Sequence, residues 1–161
     1  MLKYVWEGDV TSMTVDDVKS YIAAFKDGSL TPHLKSEPVP EDNTDPLTIL
    51  VGKNFEEIVF DETKDVLVKY YAPWCGLCKA LAPVWDELAV SVKDVEDLVI
   101  AKFDATANEV AGVEIRGYPT LKFYPKDNKD GVDYTGGREL KDIQSWLSEN
   151  SEAAKAAKIP N

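Results

Sequence analysis

A nearly unbroken apolar run, Val66-Leu67-Val68-Lys69-Tyr70-Tyr71-Ala72, leads directly into Pro73-Trp74-Cys75-Gly76-Leu77-Cys78-Lys79, which opens the longest helical pattern of the chain, residues 75–92. A strand apolar enough to be buried on both faces needs covering helices, and the surrounding pattern supplies them. Short apolar runs predict strands near 47–51, 65–72, 98–104, 119–125 and 131–135. Helical periodicity predicts helices near 53–60, 75–92, 107–112 and 139–149, with Pro83 expected to kink the second. Asp127-Asn128-Lys129-Asp130-Gly131 is turn chemistry between two strands. Ser151 to Lys158 reads as a weak solvated helix or a frayed tail, with 151–161 outside the domain. The class is α/β.

Upstream of the first strand the pattern differs. Val15, Val18, Ile22 and Phe25 recur three or four residues apart and form the apolar stripe of one amphipathic helix. Thr14 with Asp17 resembles a capping box, and Gly28 supplies the stop. One helix cannot bury its own stripe, so residues 1–27 read as the helical remnant of a preceding domain. Pairing of two copies through that helix is one expected arrangement. Residues 28–46 carry Pro32, Pro38, Pro40 and Pro46 among polar residues, the composition of an exposed, semi-stiff linker. Residues 47–150 are then the folded domain.

Charge and hydropathy narrow the function. A net charge of −11 repels a phosphate backbone, which excludes nucleic acid as a partner. No apolar stretch approaches the roughly 20 residues that cross a bilayer, so no membrane is expected. The N-terminus lacks the pattern of a secretory signal, and Lys158-Ile159-Pro160-Asn161 is no retention tetrapeptide. If the protein belongs in an oxidising lumen, the sequence is expected to be a piece of a longer one.

The chain has two cysteines, both in the strand-to-helix junction. Positions i and i+3 at a helix start lie one turn apart on one face, within disulfide reach. Cys75 falls where unpaired N–H groups and the positive dipole end favour a thiolate. An ordinary thiol with a pKa of about 8.5 is only about 3% ionised at pH 7, so this placement marks Cys75 as the nucleophile. Cys78, a turn deeper and followed by Ala80 and Leu81, is placed to resolve a mixed disulfide. A structural staple fits less well, because closing so short a loop stabilises by only about 2 kcal/mol against about 4.7 for a 100-residue loop. Zinc would need four ligands, and the remaining candidate is His33 in the linker. A pair of buried inert thiols stays open from the residues alone.

The sequence from about Leu47 to Asn150 resembles the thioredoxin superfamily and, within it, the catalytic domains of the protein disulfide isomerase family. The resemblance is carried by Val66 to Lys79, by Ile100-Ala101-Lys102-Phe103-Asp104-Ala105-Thr106-Ala107-Asn108-Glu109-Val110, and by Arg116-Gly117-Tyr118-Pro119-Thr120-Leu121-Lys122-Phe123-Tyr124-Pro125. Leu34-Lys35-Ser36-Glu37-Pro38-Val39-Pro40 is similar to the join before a C-terminal catalytic domain. The resemblance implies a thioredoxin-like fold, a central mixed sheet with helices on both faces. It implies thiol–disulfide exchange on unfolded or misoxidised proteins in the endoplasmic reticulum lumen, with no metal or organic cofactor. Glutathione or an upstream oxidase would be the redox partner.

By the same resemblance, Cys75 attacks and Cys78 resolves. Pro119 would be a cis-proline whose preceding Tyr118 turns a backbone edge toward Cys75 for an extended substrate; read alone, it is a turn proline. Arg116 would approach the buried cysteine and lower its pKa; read alone, it is a loop cation. Trp74, Leu77 and Tyr118, with Gly76 between the first two, would rim the site for clients, although Trp74 also suits a core. A non-catalytic peptide-binding module and a cytosolic disulfide reductase are the alternative functions.

Two residues depart from the family pattern. Lys69 stands where glutamate is common, either as a proton carrier for Cys78, as a charge favouring its thiolate, or as a stem with its ammonium at the sheet edge. Leu77 stands where histidine is usual. A partly cationic imidazole there stabilises the Cys75 thiolate and hence the reduced dithiol, so leucine predicts a higher Cys75 pKa and a more reducing couple. Leu77→His is expected to shift the glutathione equilibrium toward a stronger oxidant. An unchanged or lowered potential contradicts that electrostatic account.

Overall fold

A computed structural model describes residues 3–159, which divide into two compact units, one ending at Lys35 and the other beginning at Ser36. Residues 1, 2, 160 and 161, at the ends of the expected remnant and tail, lie outside the described residues.

The first unit contains helix α1, Val15–Asp27. Both halves of the Thr14–Asp17 capping box form, and Gly28 ends the helix at a φ of 79°, the left-handed conformation that favours glycine. Tyr4 packs edge-on against Phe25 and Trp6 against Tyr21, while the His33 N–H donates to the Lys3 carbonyl at 2.7 Å. Val15, Val18, Ile22 and Phe25 are nonetheless exposed, and no α1 residue is buried.

The second unit is built on a five-stranded sheet in the order β1-β3-β2-β4-β5. The strands are β1 Leu47–Leu50, β2 Asp65–Tyr71, β3 Leu98–Asp104, β4 Thr120–Tyr124 and β5 Val132–Asp133. β3 runs parallel to β1 and β2, whereas β4 is antiparallel to both β2 and β5. The sheet is therefore mixed, with β2 inside it. Helices α2 Phe55–Val59, α3 Gly76–Ser91, α4 Leu140–Asn150 and α5 Glu152–Ala157 complete the unit. Among the described residues no helix is long and apolar enough to cross a membrane.

Strand alternation sorts β2 between two cores. Val66, Val68 and Tyr70 pack with Phe55, Val59, Phe103 and Tyr124 on the α2 side. Leu67 packs with Leu81, Trp85, Leu88, Ile143 and Leu147 of α3 and α4 on the other. Each fully buried side chain of this kind contributes about 1.5–3 kcal/mol. α3 continues through Pro83 to Ser91, and its Trp85 Nε1 donates to the Ala101 carbonyl of β3 at 3.0 Å. That bond pins the helix, and with it the cysteines, to the sheet.

Three expectations need correction. Residues 107–112 do not form a helix. The Asp104 carboxylate accepts from Thr106 N–H, and Asn108 donates to the Asp104 carbonyl while accepting from the N–H groups of Gly52 and Glu37, so side chains take the bonds a helix would use. Of the two readings of residues 151–158, the helix forms, as α5, but it is docked and partly buried, neither solvated nor a frayed tail. The buried Ser151 caps α5, and Ala153, Ala154 and Ile159 join the core. Finally, residues 36–46 lie in the second unit and are fastened to it rather than free. Ser36 Oγ accepts from Lys53 N–H, and the Asn43 amide exchanges two hydrogen bonds with the Ile49 backbone.

Asp65, at the start of β2 and 1% exposed, holds the C-terminal segment. Its carboxylate accepts from Lys126 N–H at 2.8 Å, Ser151 Oγ at 2.6 Å and Ala153 N–H at 3.3 Å. Asp65→Ala leaves three donors without their acceptor and is expected to destabilise by about 2–4 kcal/mol, measured by urea unfolding. A loss below about 0.5 kcal/mol would show that the segment is not anchored there.

Candidate active site at the start of helix α3

β2 ends at Tyr71, and the chain turns through Ala72-Pro73-Trp74 so that Cys75 becomes the N-cap of α3. Cys75 N–H donates to the Ala72 carbonyl at 3.0 Å, which closes the turn. Cys75 and Cys78 form a disulfide with their Cα atoms 5.2 Å apart. The Cys78 N–H donates to Cys75 Sγ at 3.1 Å. Once the disulfide is reduced, that donor and the helix dipole act on the Cys75 sulfur and favour its anion.

The two cysteines differ less in exposure than their positions suggested, since Cys75 is 7% exposed and Cys78 4%. Access comes from what surrounds them. Trp74 is 72% exposed and Leu77 60%, and a Cβ added at Gly76 would meet no atom within 4 Å. Trp74 is thus a rim residue and not part of the core, while Trp85 and Trp146 pack in or against the core. Tyr118 packs on the cysteine cluster and meets the Trp74 ring edge-on at 5.8 Å between centroids. The Tyr118–Pro119 peptide bond is cis.

The structure brings Cys75, Cys78, Trp74, Gly76, Leu77 and Tyr118 together and leaves Arg116 apart. Arg116 is exposed in the loop before β4 and donates to Glu114 at 2.9 Å, which holds its guanidinium pKa above the ordinary value. Among the described residues no group of His, Cys, Asp and Glu is placed to hold a metal ion, and His33 is exposed.

Lys69 behaves differently from the snorkelling expected of a strand lysine. It is 3% exposed, with Nζ 5.5 Å from the Trp85 ring centroid and 5.9 Å from that of Tyr71. Strand alternation directs it to the α3 side, where it shares a cavity of about 170 Å³ with Cys78, Lys79, Asp86, Lys102 and Tyr71. Asp86 and Lys102 are members that sequence reading missed. Lys79, Ala82 and Asp86 follow the three-, four- and seven-residue spacing of one helix face, which was visible in the sequence, whereas Lys102 meets Lys69 only through the parallel β2–β3 register.

Burial lowers the Lys69 pKa to about 8, with Asp86 opposing the shift and Lys102 adding to it. In the unfolded chain the same amine keeps its proton to about 10.4. Between those values the unfolded state binds more protons, so this group makes stability rise with pH across that window. Below it the buried ammonium costs at most about 3 kcal/mol, less whatever solvent screening relieves at the cavity mouth. Lys69→Met is expected to be more stable than the parent at pH 7 by an amount of that order, with the gap closing toward pH 10.5 in urea unfolding of the oxidised protein. A gap independent of pH would mean that the lysine is not desolvated.

With this geometry in hand, comparison with known proteins places the chain. The thioredoxin family profile matches residues 46–149. A protein disulfide-isomerase of Gallus gallus is 46% identical over 159 residues, covering 98% of this chain and 30% of the relative. One from Drosophila melanogaster is 41% identical over 160 residues, covering 99% and 32%. The chain therefore spans about a third of the length of the curated relatives it matches. Among solved structures, the first thioredoxin domain of mouse protein disulfide-isomerase A4 superposes with a TM-score of 0.57 at 36% identity, covering 71% of this chain and 81% of that one. The Trx4 domain of ERdj5 gives 0.54 at 26% identity, covering 63% and 92%. A parallel-to-antiparallel sheet, a cysteine pair at the start of α3 and a family match across that same span agree: this chain belongs to the thioredoxin family.

Proposed function

We propose that this domain catalyses thiol–disulfide exchange on protein substrates, as an oxidoreductase and isomerase of the protein disulfide isomerase type. The observation that carries the reading is the Cys75–Cys78 disulfide seated on the N-terminus of α3, with the Cys78 N–H 3.1 Å from Cys75 Sγ. When the protein is reduced, that N–H supports the Cys75 thiolate. The thiolate attacks one sulfur of a substrate disulfide; the Cys75–substrate bond forms, the substrate S–S bond breaks, and the departing sulfur leaves with the electron pair. Cys78, having lost its proton, then attacks Cys75 Sγ, restores the internal disulfide and expels the substrate thiolate. In the oxidising direction a substrate thiolate attacks Cys75 Sγ and Cys78 leaves.

Trp74, Leu77 and Tyr118 supply an apolar rim that suits clients of many sequences, and the open space beside Gly76 admits an incoming chain. Pro119 belongs to the same rim, next in sequence to Tyr118. Arg116 enters this reading as a cation that must leave Glu114 to approach Cys78. Glutathione or an upstream oxidase resets the couple. The reading extends to the endoplasmic reticulum lumen, because a disulfide used as an oxidant has to persist in its compartment.

Refolding of a protein with scrambled disulfides tests the reading. Cys75→Ser is expected to abolish the acceleration, whereas Cys78→Ser keeps the attack but accumulates mixed disulfides with the client. An undiminished refolding rate with Cys75→Ser would leave a peptide-binding module in place of an enzyme.

A further inference from the structure

An excess of positive charge lies inside this otherwise acidic chain. Lys69, Lys79 and Lys102 line a cavity of about 170 Å³ against the single carboxylate of Asp86, so three cations meet one anion in a protein whose net charge is −11. Lys69 is the buried member, at 3% exposure. Its Nζ donates no hydrogen bond and joins no ion pair among the described residues, and its near neighbours are the rings of Trp85 at 5.5 Å and Tyr71 at 5.9 Å. The nitrogen is not sealed in, because it opens onto the cavity.

The elements packed around Lys69 do not supply the missing counter-charge. From β3 comes Lys102, set beside it by the parallel register, like charge against like. From α3 come Lys79 and Asp86, seven residues and so two turns apart on one face, and Cys78, which is neutral in the disulfide. From β2 itself comes Tyr71, whose phenol burial keeps protonated. Among the described residues none of Lys79, Lys102 and Asp86 is ion-paired either. A buried charge is ordinarily paired, and water can solvate an ammonium without cancelling its repulsion of a second one. Each ammonium offers three N–H donors and no acceptor, which suits a ligand made of negatively charged oxygens. The cavity has room for a small one together with water.

We propose that this cavity is a binding site for a small inorganic oxyanion of the sulfate or phosphate class, held by the buried Lys69 and by the more exposed Lys79 and Lys102. Asp86 is the internal competitor, since its carboxylate draws on the same cations. Binding is non-covalent and stabilises the fold by mass action, offsetting the strain of keeping an ammonium in the sheet near neutral pH. The site is complete while the cysteines are joined, so it does not rest on the exchange reading above.

Calorimetric titration of the oxidised full chain with sodium sulfate at pH 7, at an ionic strength held constant with sodium chloride, tests this. The parent is expected to bind one sulfate saturably, and Lys69→Met none. Lys102→Met is expected to weaken binding about fivefold, whereas Asp86→Asn tightens it by a similar factor. At pH 9, above the lowered Lys69 pKa of about 8, parent affinity is expected to fall about tenfold. Urea unfolding gives a second readout, because saturating sulfate should narrow the stability gap at pH 7 between the parent and Lys69→Met. A general salting-out effect acts on both proteins alike and leaves that gap unchanged. No saturable binding by the parent, equal binding by Lys69→Met, or an unchanged gap overturns the proposal.

Discussion

The burial of β2 on both faces is the constraint on which the rest of this domain depends. A strand of seven residues with six buried cannot stand at an edge or face water, so it requires paired strands on both sides and helices above and below. β3 and β4 provide the pairing, and α2 on one face and α3 with α4 on the other provide the cover. The chemistry follows from where that strand stops. At its C-terminal end the chain turns through Pro73 and Trp74 and enters α3, and the residue that caps the helix N-terminus is a cysteine. The same packing that stabilises the sheet therefore fixes a sulfur at a helix N-terminus, and the Trp85 bond to the Ala101 carbonyl keeps the helix from sliding along it.

Two fields act on that sulfur pair from opposite sides. The Cys78 N–H and the helix end reach Cys75 from the backbone, which no side-chain substitution removes. Side chains then adjust the couple. Leu77 contributes apolar surface at the rim and no charge, so recognition of a client and tuning of the thiolate are separated there. Lys69 lies on the α3 side of β2, desolvated between rings, where one charge has more effect than it would in water. The cost of burying it appears as lost stability near neutral pH, a cost that thermodynamic optimisation alone would remove.

Much of this was legible without coordinates, for identifiable reasons. The capping box at Thr14 and Asp17 and the stop at Gly28 are local, and they formed as read because their bonds span only three or four residues. The strands were legible because β-branched and aromatic runs bounded by turn residues carry their own signal, and Cys75 and Cys78 because their spacing and position at a helix start are both local facts. Residues 107–112 misled because Val110 and its neighbours have helical spacing, yet the Asp104 carboxylate holds Thr106 N–H and the Asn108 side chain is committed to backbone groups at Gly52 and Glu37, far away in sequence. The C-terminal segment misled in the other direction. Ala and Lys suggested a solvated end, and the partner that orders it, Asp65, lies 86 residues upstream of Ser151.

The sequence by itself determined the α/β class, the strand-to-helix junction and the two sulfurs one turn apart, because each depends on neighbours within a few residues along the chain. Only the tertiary structure decided the environment of Lys69, the docking of α5 and the cavity shared by Cys78, Asp86 and Lys102. These are matters of desolvation and of charge at a distance, which depend on what the fold packs around a group and not on the residues beside it in the chain.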